Sequence, residues 1–319
     1  MARYIRQRVL HAVLVLWLTY TVIFVAVTLL PANPVTALVN SMSDGAGIDP
    51  AVVEDMKSYY GYDHSAFLRY FHQLFGLLQG NFGYSISTGQ TVAQRITEAL
   101  PSTLVLAGLA FAVAALITAA VAWFAYLGSP RFLSRIARVV PPLFSAVPPF
   151  WIGIVALQIL SFHFGLMSVF PDGSLLSELV PAVVLGIPLS AAFAQVLLKS
   201  IDATYRQEFV EVVRAKGASE RWLFFRHVLK NAAAPTLTVA ANTLGLLVGG
   251  AVVTETVFSR NGVGSVLEQA VSSQDLALIQ GFVLMIAAVF VVVNLAVDLI
   301  YPLLDPRIVR ETEPAAAVA

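Results

Sequence analysis

The sequence predicts an all-α integral membrane protein with six transmembrane helices and both termini in the cytoplasm. Of the 319 residues, 58% are hydrophobic and 12% charged, where soluble domains carry about a quarter charged. The apolar residues gather in blocks of roughly 20 or more, the length a helix needs to cross the hydrocarbon core. In lipid such unbroken runs satisfy their backbone as helices. Lys and Arg are split 15 to 4 between two sets of loops, and the richer set faces the cytoplasm.

The spans fall at roughly 9–30, 98–127, 139–165, 179–200, 235–257 and 278–303. Arg3, Arg6 and Arg8 precede the first. Its apolar run exceeds the 7–15 residues of a signal-peptide core, so it reads as a retained helix. Pro141, Pro142, Pro148 and Pro149 crowd the third span and Pro188 interrupts the fourth, each removing a helix hydrogen bond and favouring a kink. Gly245 and Gly249 in the fifth form a Gly-x-x-x-Gly pair suited to close helix packing. The cytoplasmic set of basic residues is Arg3, Arg6, Arg8, Arg131, Arg135, Arg138, Lys199, Arg206, Arg214, Lys216, Arg221, Arg226, Lys230, Arg307 and Arg310. The opposite set is Lys57, Arg69, Arg95 and Arg260. With both termini inside, the span number is even, and six fits.

These spans divide the chain into four parts. Residues 1–30 hold the cytoplasmic start and first helix, and 31–97 an extracytoplasmic region. Residues 98–310 hold a five-helix core with a cytoplasmic loop at 201–234, and 311–319 a cytoplasmic tail. The extracytoplasmic region is aromatic and partly amphipathic, as in Phe67-Leu-Arg-Tyr-Phe-His-Gln-Leu-Phe75. It suits a helical hairpin on the outer leaflet, a contact surface for an external partner, or both.

The cytoplasmic loop holds the most informative stretch, Glu211-Val-Val-Arg-Ala-Lys-Gly217-Ala-Ser-Glu-Arg-Trp-Leu-Phe-Phe-Arg-His-Val-Leu-Lys230. Gly217 stands where a first short helix must stop, because Gly takes a left-handed cap at little cost. Leu223, Phe224, Val228 and Leu229, with Trp222 and Phe225, make one side of the following segment apolar, while Arg214, Lys216, Arg221 and Arg226 keep the rest wet. An amphipathic helix of this kind docks in a groove of a soluble partner or rests on lipid. The Glu211 to Gly217 spacing favours docking.

Signatures of chemistry are missing. Cys is absent, which excludes a disulfide framework, thiolate metal sites and thiol catalysis. The one Lys-Ser pair, Lys199-Ser200, lacks the glycines of a phosphate-binding loop, and neither His-Glu-x-x-His nor Gly-x-Ser-x-Gly occurs. His11, His64, His72, His163 and His227 are scattered, with no convincing metal-ligand spacing. Glu255 at the outer end of the fifth span, Asp298 late in the sixth and Asn242 in the fifth are polar groups within spans, where such residues face protein or water. They are the candidate pathway or gate residues. Structural pairing is the competing role for Asp298, and interhelical hydrogen bonding for Asn242.

The loop resembles the "EAA" coupling motif of importer-type ABC transporter permeases, a Glu-Ala-Ala with a Gly six residues after the Glu. Val212 and Val213 stand here for the alanines. The likeness runs through nearly the whole chain and is to permeases of dipeptide, oligopeptide and nickel importers, the B-type member of the usual pair. It is carried by Pro31-Ala-Asn-Pro34, Gly80-Asn-Phe-Gly-Tyr-Ser85, Leu100-Pro-Ser-Thr-Leu104, Arg214-Ala-Lys-Gly217-Ala and Arg226-His-Val-Leu-Lys-Asn-Ala232. Thr254-Glu-Thr-Val-Phe-Ser259 with Gly262-Val-Gly264, Asn294-Leu-Ala-Val-Asp298 and Asp305-Pro-Arg307 complete it.

The resemblance implies a type I importer permease fold in the inner membrane and a transport subunit that is not an enzyme. Glu211, Ala215, Gly217, Ala218, Trp222 and Phe225 would form the ATPase-coupling loop. It also implies a second homologous permease, two cytoplasmic ATPase subunits that carry the ATP and Mg, and an extracytoplasmic solute-binding protein meeting 31–97 and the 259–276 loop. No cofactor and no nucleic acid are expected on this chain. Short peptides are the expected substrate. Nickel or another small solute stays open on the same architecture, and an ion-coupled secondary transporter is the rival from another class.

Overall fold

A computed structural model describes residues 2–29, 54–55, 65–127 and 130–304. Among them the regular structure is helical, apart from one isolated bridge between Tyr84 and Thr91. The helices are α1 (Ala2–Leu29), α2 (Ala66–Leu78), α3 (Val92–Tyr126), α4 (Arg131–Ala146), α5 (Pro149–Leu157), α6 (Leu175–Tyr205), α7 (Glu208–Ala215), α8 (Glu220–Leu223), α9 (Leu229–Gly250), α10 (Val252–Val257), α11 (Val263–Ser272) and α12 (Leu276–Leu304). Two π-helical turns, Gln158–His163 and Phe224–Val228, extend α5 and α8. The Pro31-Ala-Asn-Pro34 motif, residues 305–319 and the Asp298 side chain lie outside the described residues.

Among the described residues, four helical segments are long and apolar enough to cross a membrane: Ile5–Leu29, Val92–Tyr126, Leu175–Tyr205 and Leu276–Ala296. The expected third span is broken, with Arg131–Ala146 and Pro149–His163 meeting at 95°; counted as one span, the pair makes five. The break follows from Pro148-Pro149, since a residue before proline is driven out of the helical region. Val147 and Pro148 are accordingly extended, at φ −100°, ψ 123° and φ −63°, ψ 137°. The expected fifth span is helical across α9 and α10, divided at Ala251.

Pro188 does not interrupt the fourth span, which corrects the sequence expectation. α6 runs continuously with Pro181 and Pro188 inside it. Hydroxyl groups gather where the ladder is disturbed: Ser190 Oγ donates to the Ile187 carbonyl at 2.6 Å, and Thr118 Oγ1 to the Ser190 carbonyl at 3.4 Å. Neighbouring hydroxyls of this kind let membrane helices carry proline.

The body is built on α3 against α6, where Leu106, Ala107, Ala110, Ala182 and Leu185 are buried together with Leu247 and Ala251. The alanines bring the backbones close, the packing that replaces hydrophobic drive within lipid. At one end, Val92, Ile96 and Ala99 of α3 pack on Val263, Val266 and Ala270 of α11 and on Leu278, Phe282 and Met285 of α12. At the end bearing the basic loops, Ala122, Leu197 and Ile201 pack on Val210, Leu223, Phe224, Val228 and Ala232. Outside this body, α2 is tied to α1 by Tyr20, whose hydroxyl donates to the Tyr70 carbonyl at 2.7 Å. Phe67, Leu68, Phe75 and Leu78 of α2 stay exposed.

Candidate functional site

The 201–234 loop folds as two short helices around a glycine turn. α7 begins after Gln207 with Glu208 and Glu211 in its first turn, where carboxylates complement the helix dipole. It ends at Ala215, and Gly217 adopts φ +81° while its N–H donates to the Arg214 carbonyl at 2.9 Å. This is the left-handed stop that the sequence called for. Ser219 then caps α8, accepting from the Trp222 N–H at 3.4 Å.

The apolar side of the second segment is divided, which refines the sequence reading. Leu223, Phe224 and Val228 turn inward with Val210 and are 0–2% exposed. They fasten the loop to the ends of α3 and α6. Trp222 and Phe225, each 50% exposed, and Val212 at 54% point outward. The Phe225 ring lies 6.0 Å from that of Trp123, itself partly exposed, and the Trp222 ring 4.9 Å from that of His227. Glu211 and Ala215 are also exposed, and Ala218 is half-buried.

A brace that sequence reasoning missed closes the turn. The Arg214 guanidinium donates to both Glu220 carboxylate oxygens, at 2.7 and 3.1 Å. The Glu220 carboxylate also holds Arg214 above its ordinary pKa. An Arg and an acid six residues apart across a glycine was the signal available. The loop therefore presents a braced hairpin with an outward aromatic patch, a form that lowers the ordering cost of filling a partner groove.

Of the candidate gate residues, Asn242 and Glu255 are not brought into one site, and the Asp298 side chain lies outside the described residues. Asn242 is exposed on α9. Glu255 is fully buried, its carboxylate accepting from the Thr103 hydroxyl and from the Gly264 and Ser265 N–H groups, the last two at 2.7 and 3.4 Å. The Val263 N–H donates to Thr103 Oγ1 at 2.8 Å, and the Gly262 N–H to Ser265 Oγ at 3.0 Å. All four N-terminal donors of α11 are thus satisfied, which a buried helix end requires. The contact is too close for any side chain on the glycines: a Cβ on Gly262 would lie 2.3 Å from the Glu255 carboxylate, and one on Gly264 2.2 Å from Val252 Cα.

Two more buried charges complete this end. Arg260, 4% exposed, pairs with Glu178 at 3.0 Å and donates to the Ser177 carbonyl at 3.3 Å and to Ser102 Oγ at 3.2 Å. It links the α10–α11 connection to α6 and α3. Asp275, 1% exposed, accepts from Ser85 Oγ at 2.7 Å and from the Ser87 N–H and Oγ at 3.0 and 2.8 Å, and caps α12 through the Leu278 N–H at 3.1 Å. The Gly80–Ser85 motif is thereby pinned to the start of the last helix.

Comparison with known proteins places this architecture. Residues 114–310 match the family described as binding-protein-dependent transport system inner membrane component, and residues 1–107 match the N-terminal part of such membrane components. The chain belongs to this family. Its relatives include the glutathione transport system permease protein GsiC of Escherichia coli strain K12, 27% identical over 308 residues, 97% of this chain and 99% of the relative. The protein of the same name from Salmonella choleraesuis strain SC-B67 is 28% identical over the same span. Among solved structures, an inward-facing MetNI methionine ABC transporter aligns with a TM-score of 0.54 at 17% identity, over 66% of this chain and 96% of that one. An amino acid ABC transporter crystallised with histidines aligns at 0.51 and 18% identity, over 67% and 94%. The fold is therefore that of a type I ABC importer permease. The chain is a multi-pass inner-membrane transport component and not an enzyme; ATP hydrolysis belongs to separate subunits.

Proposed function

We propose that this permease forms half of the translocation pathway of an ATP-driven importer of di- and oligopeptides and that its 201–234 loop seats the ATPase. The six-span topology, with both ends cytoplasmic, is part of the same reading: α1, α3, the α4–α5 pair, α6, α9–α10 and α12 would be the spans. A second permease, two ATPase subunits and an extracytoplasmic solute-binding protein would complete the complex. Near-full-length likeness to permeases named for glutathione, a tripeptide, supports the substrate class.

The observation that carries the coupling assignment is the division of the loop's apolar residues. Val210, Leu223, Phe224 and Val228 attach the loop to its own protein, which leaves Val212, Trp222 and Phe225 about half exposed on the outward side. Aromatic residues in such positions are where binding energy concentrates, at about 2 kcal/mol or more each. Trp222→Ala with Phe225→Ala is expected to abolish co-purification of the ATPase from mild detergent while the permease still inserts and folds. Gly217→Val, which forces a β-branched residue to φ +81°, is expected to uncouple transport with the complex retained or weakened. Normal ATPase retention and uptake in the double variant would remove the assignment.

A further inference from the structure

We propose that the cleft between α4 and α6 is the cytoplasmic exit of the pathway and receives the carboxylates of anionic peptides, resting on the peptide-importer reading above. The cleft encloses about 620 Å³ and is lined by Arg138, Gln195, Lys199, Asp202 and Arg206 with Leu198 and Ala203. That volume lies in the range of sites that hold small organic ligands.

Its charge is organised in two parts. Arg138 donates to Asp202 at 3.0 and 3.3 Å, and the Tyr126 hydroxyl donates to the same carboxylate at 2.6 Å. This pair is internally neutral and fixes α4 to α6 and α3. Lys199 on α6 and Arg206 just past its end are exposed, and among the described residues neither is seen paired with a carboxylate. The wall therefore keeps two uncompensated cations.

The depth of Lys199 argues against a simple loop charge, whereas Arg206 stands at the helix end. At 1.5 Å per residue, Lys199 stands ~9 Å and Gln195 ~15 Å before the end of α6 at Tyr205. Gln195 is exposed and donates to Ser145 Oγ of α4 at 3.2 Å, continuing the polar stripe toward the middle of the span. Polar side chains exposed at such depth face protein or a water-filled cavity in preference to lipid. The large apolar residues of α4, Phe132, Val139 and Leu143, are exposed as well. They offer lipid or a second subunit an apolar surface separate from the polar stripe.

A cleft with an excess of one sign of charge, here three cations against Asp202, raises the local concentration of opposite charge and speeds its passage, by about tenfold or more. The wall therefore discriminates among peptides by net charge after the outer binding step. The test uses the full importer, reconstituted with its partners in liposomes, with Lys199→Gln, which lies outside the 201–234 loop. Uptake is compared for a tripeptide bearing an additional acidic side chain, the same peptide neutralised by amidation, and one bearing lysine.

The expected result is an about tenfold loss for the acidic peptide at low salt, under twofold change for the other two, and a gap that closes at high ionic strength. ATPase stimulation by the binding protein is expected to persist. Equal losses for all three peptides, or none, would overturn the assignment. So would a defect independent of peptide charge that appears only with phosphatidylglycerol in the liposomes, which would make the cleft a headgroup site. A wild-type complex that moves none of the peptides would overturn the peptide-importer reading itself, and this inference with it; uptake of the neutral peptide separates the two failures.

Discussion

Glu255→Ala is expected to destabilise the solubilised permease by about 4 kcal/mol, the largest effect of any single truncation at the end built around α11. The variant removes the acceptor for the Thr103 hydroxyl and for the Gly264 and Ser265 N–H groups. A buried donor left without a partner costs about 1–3 kcal/mol. The carboxylate also sits at the N-terminus of α11, where the helix dipole favours negative charge. Arg260 does not compensate it, being paired with Glu178. Glu255→Gln is expected to lose about half as much. Its amide can accept from the α11 N–H groups but offers Thr103 a donor, and the Thr103 hydroxyl then has no acceptor in place of the carboxylate. Gly264→Ala is expected to match Glu255→Ala, because the added Cβ meets the Val252 backbone, which cannot turn aside as a side-chain tip could. Thermal unfolding in detergent measures the series, and binding-protein-stimulated uptake reports whether the end built around α11 still functions. A Glu255→Ala variant as stable as the wild type would show that α11 is held by its apolar contacts alone.

How these features could be read from sequence differed with the reach of their constraints. Gly217 was legible because its requirement is local: a charged helix must stop before an aromatic one begins, and a positive φ selects glycine. The fold class was legible because lipid admits few backbone solutions and the apolar blocks matched one of them. The inward and outward assignment of Leu223, Phe224, Trp222 and Phe225 was not, because it depends on where the ends of α3 and α6 lie. Glu255 stood out in the sequence as a charged group in an apolar run, and it is buried. Its partners come from 9 residues away on α11 and 152 residues away on α3, so spacing could not show that it seals a helix end. The 95° break in the third span was half legible: the prolines announced it, but four of them in nine residues did not say which pair would act.

Asp275→Ala is expected to release the 80–91 segment from the body of the protein. Asp275 stands just before the apolar run of α12, and after Gln274 at φ +55°, a local pattern that reads as an N-cap. The cap is only part of what it does. One carboxylate oxygen serves the Leu278 N–H, and the other takes three donors from Ser85 and Ser87, 190 and 188 residues distant. Ser85 is fully buried, and its hydroxyl also accepts from Thr88 Oγ1 at 2.7 Å and the Thr88 N–H at 3.0 Å. The serine turn is thus organised around one acid. Losing the acid leaves several buried donors unpaired, and the cost falls on the loop in preference to the helices, since α3 keeps its own cap at Thr91 through the Gln94 N–H. Local opening sets hydrogen exchange, so amides of 83–92 are expected to exchange about 100-fold faster, the equivalent of roughly 2.7 kcal/mol, with the α3 and α6 cores unchanged. Asp275→Asn is expected to keep the Leu278 cap and lose most of the serine contacts, giving an intermediate rate. If Asp275→Ala exchanged as slowly as the wild type while α12 frayed, the residue would be a helix cap alone, and the Gly80–Ser85 motif would owe its place to its own Phe82 packing on the cluster that holds Val92 and Ile96.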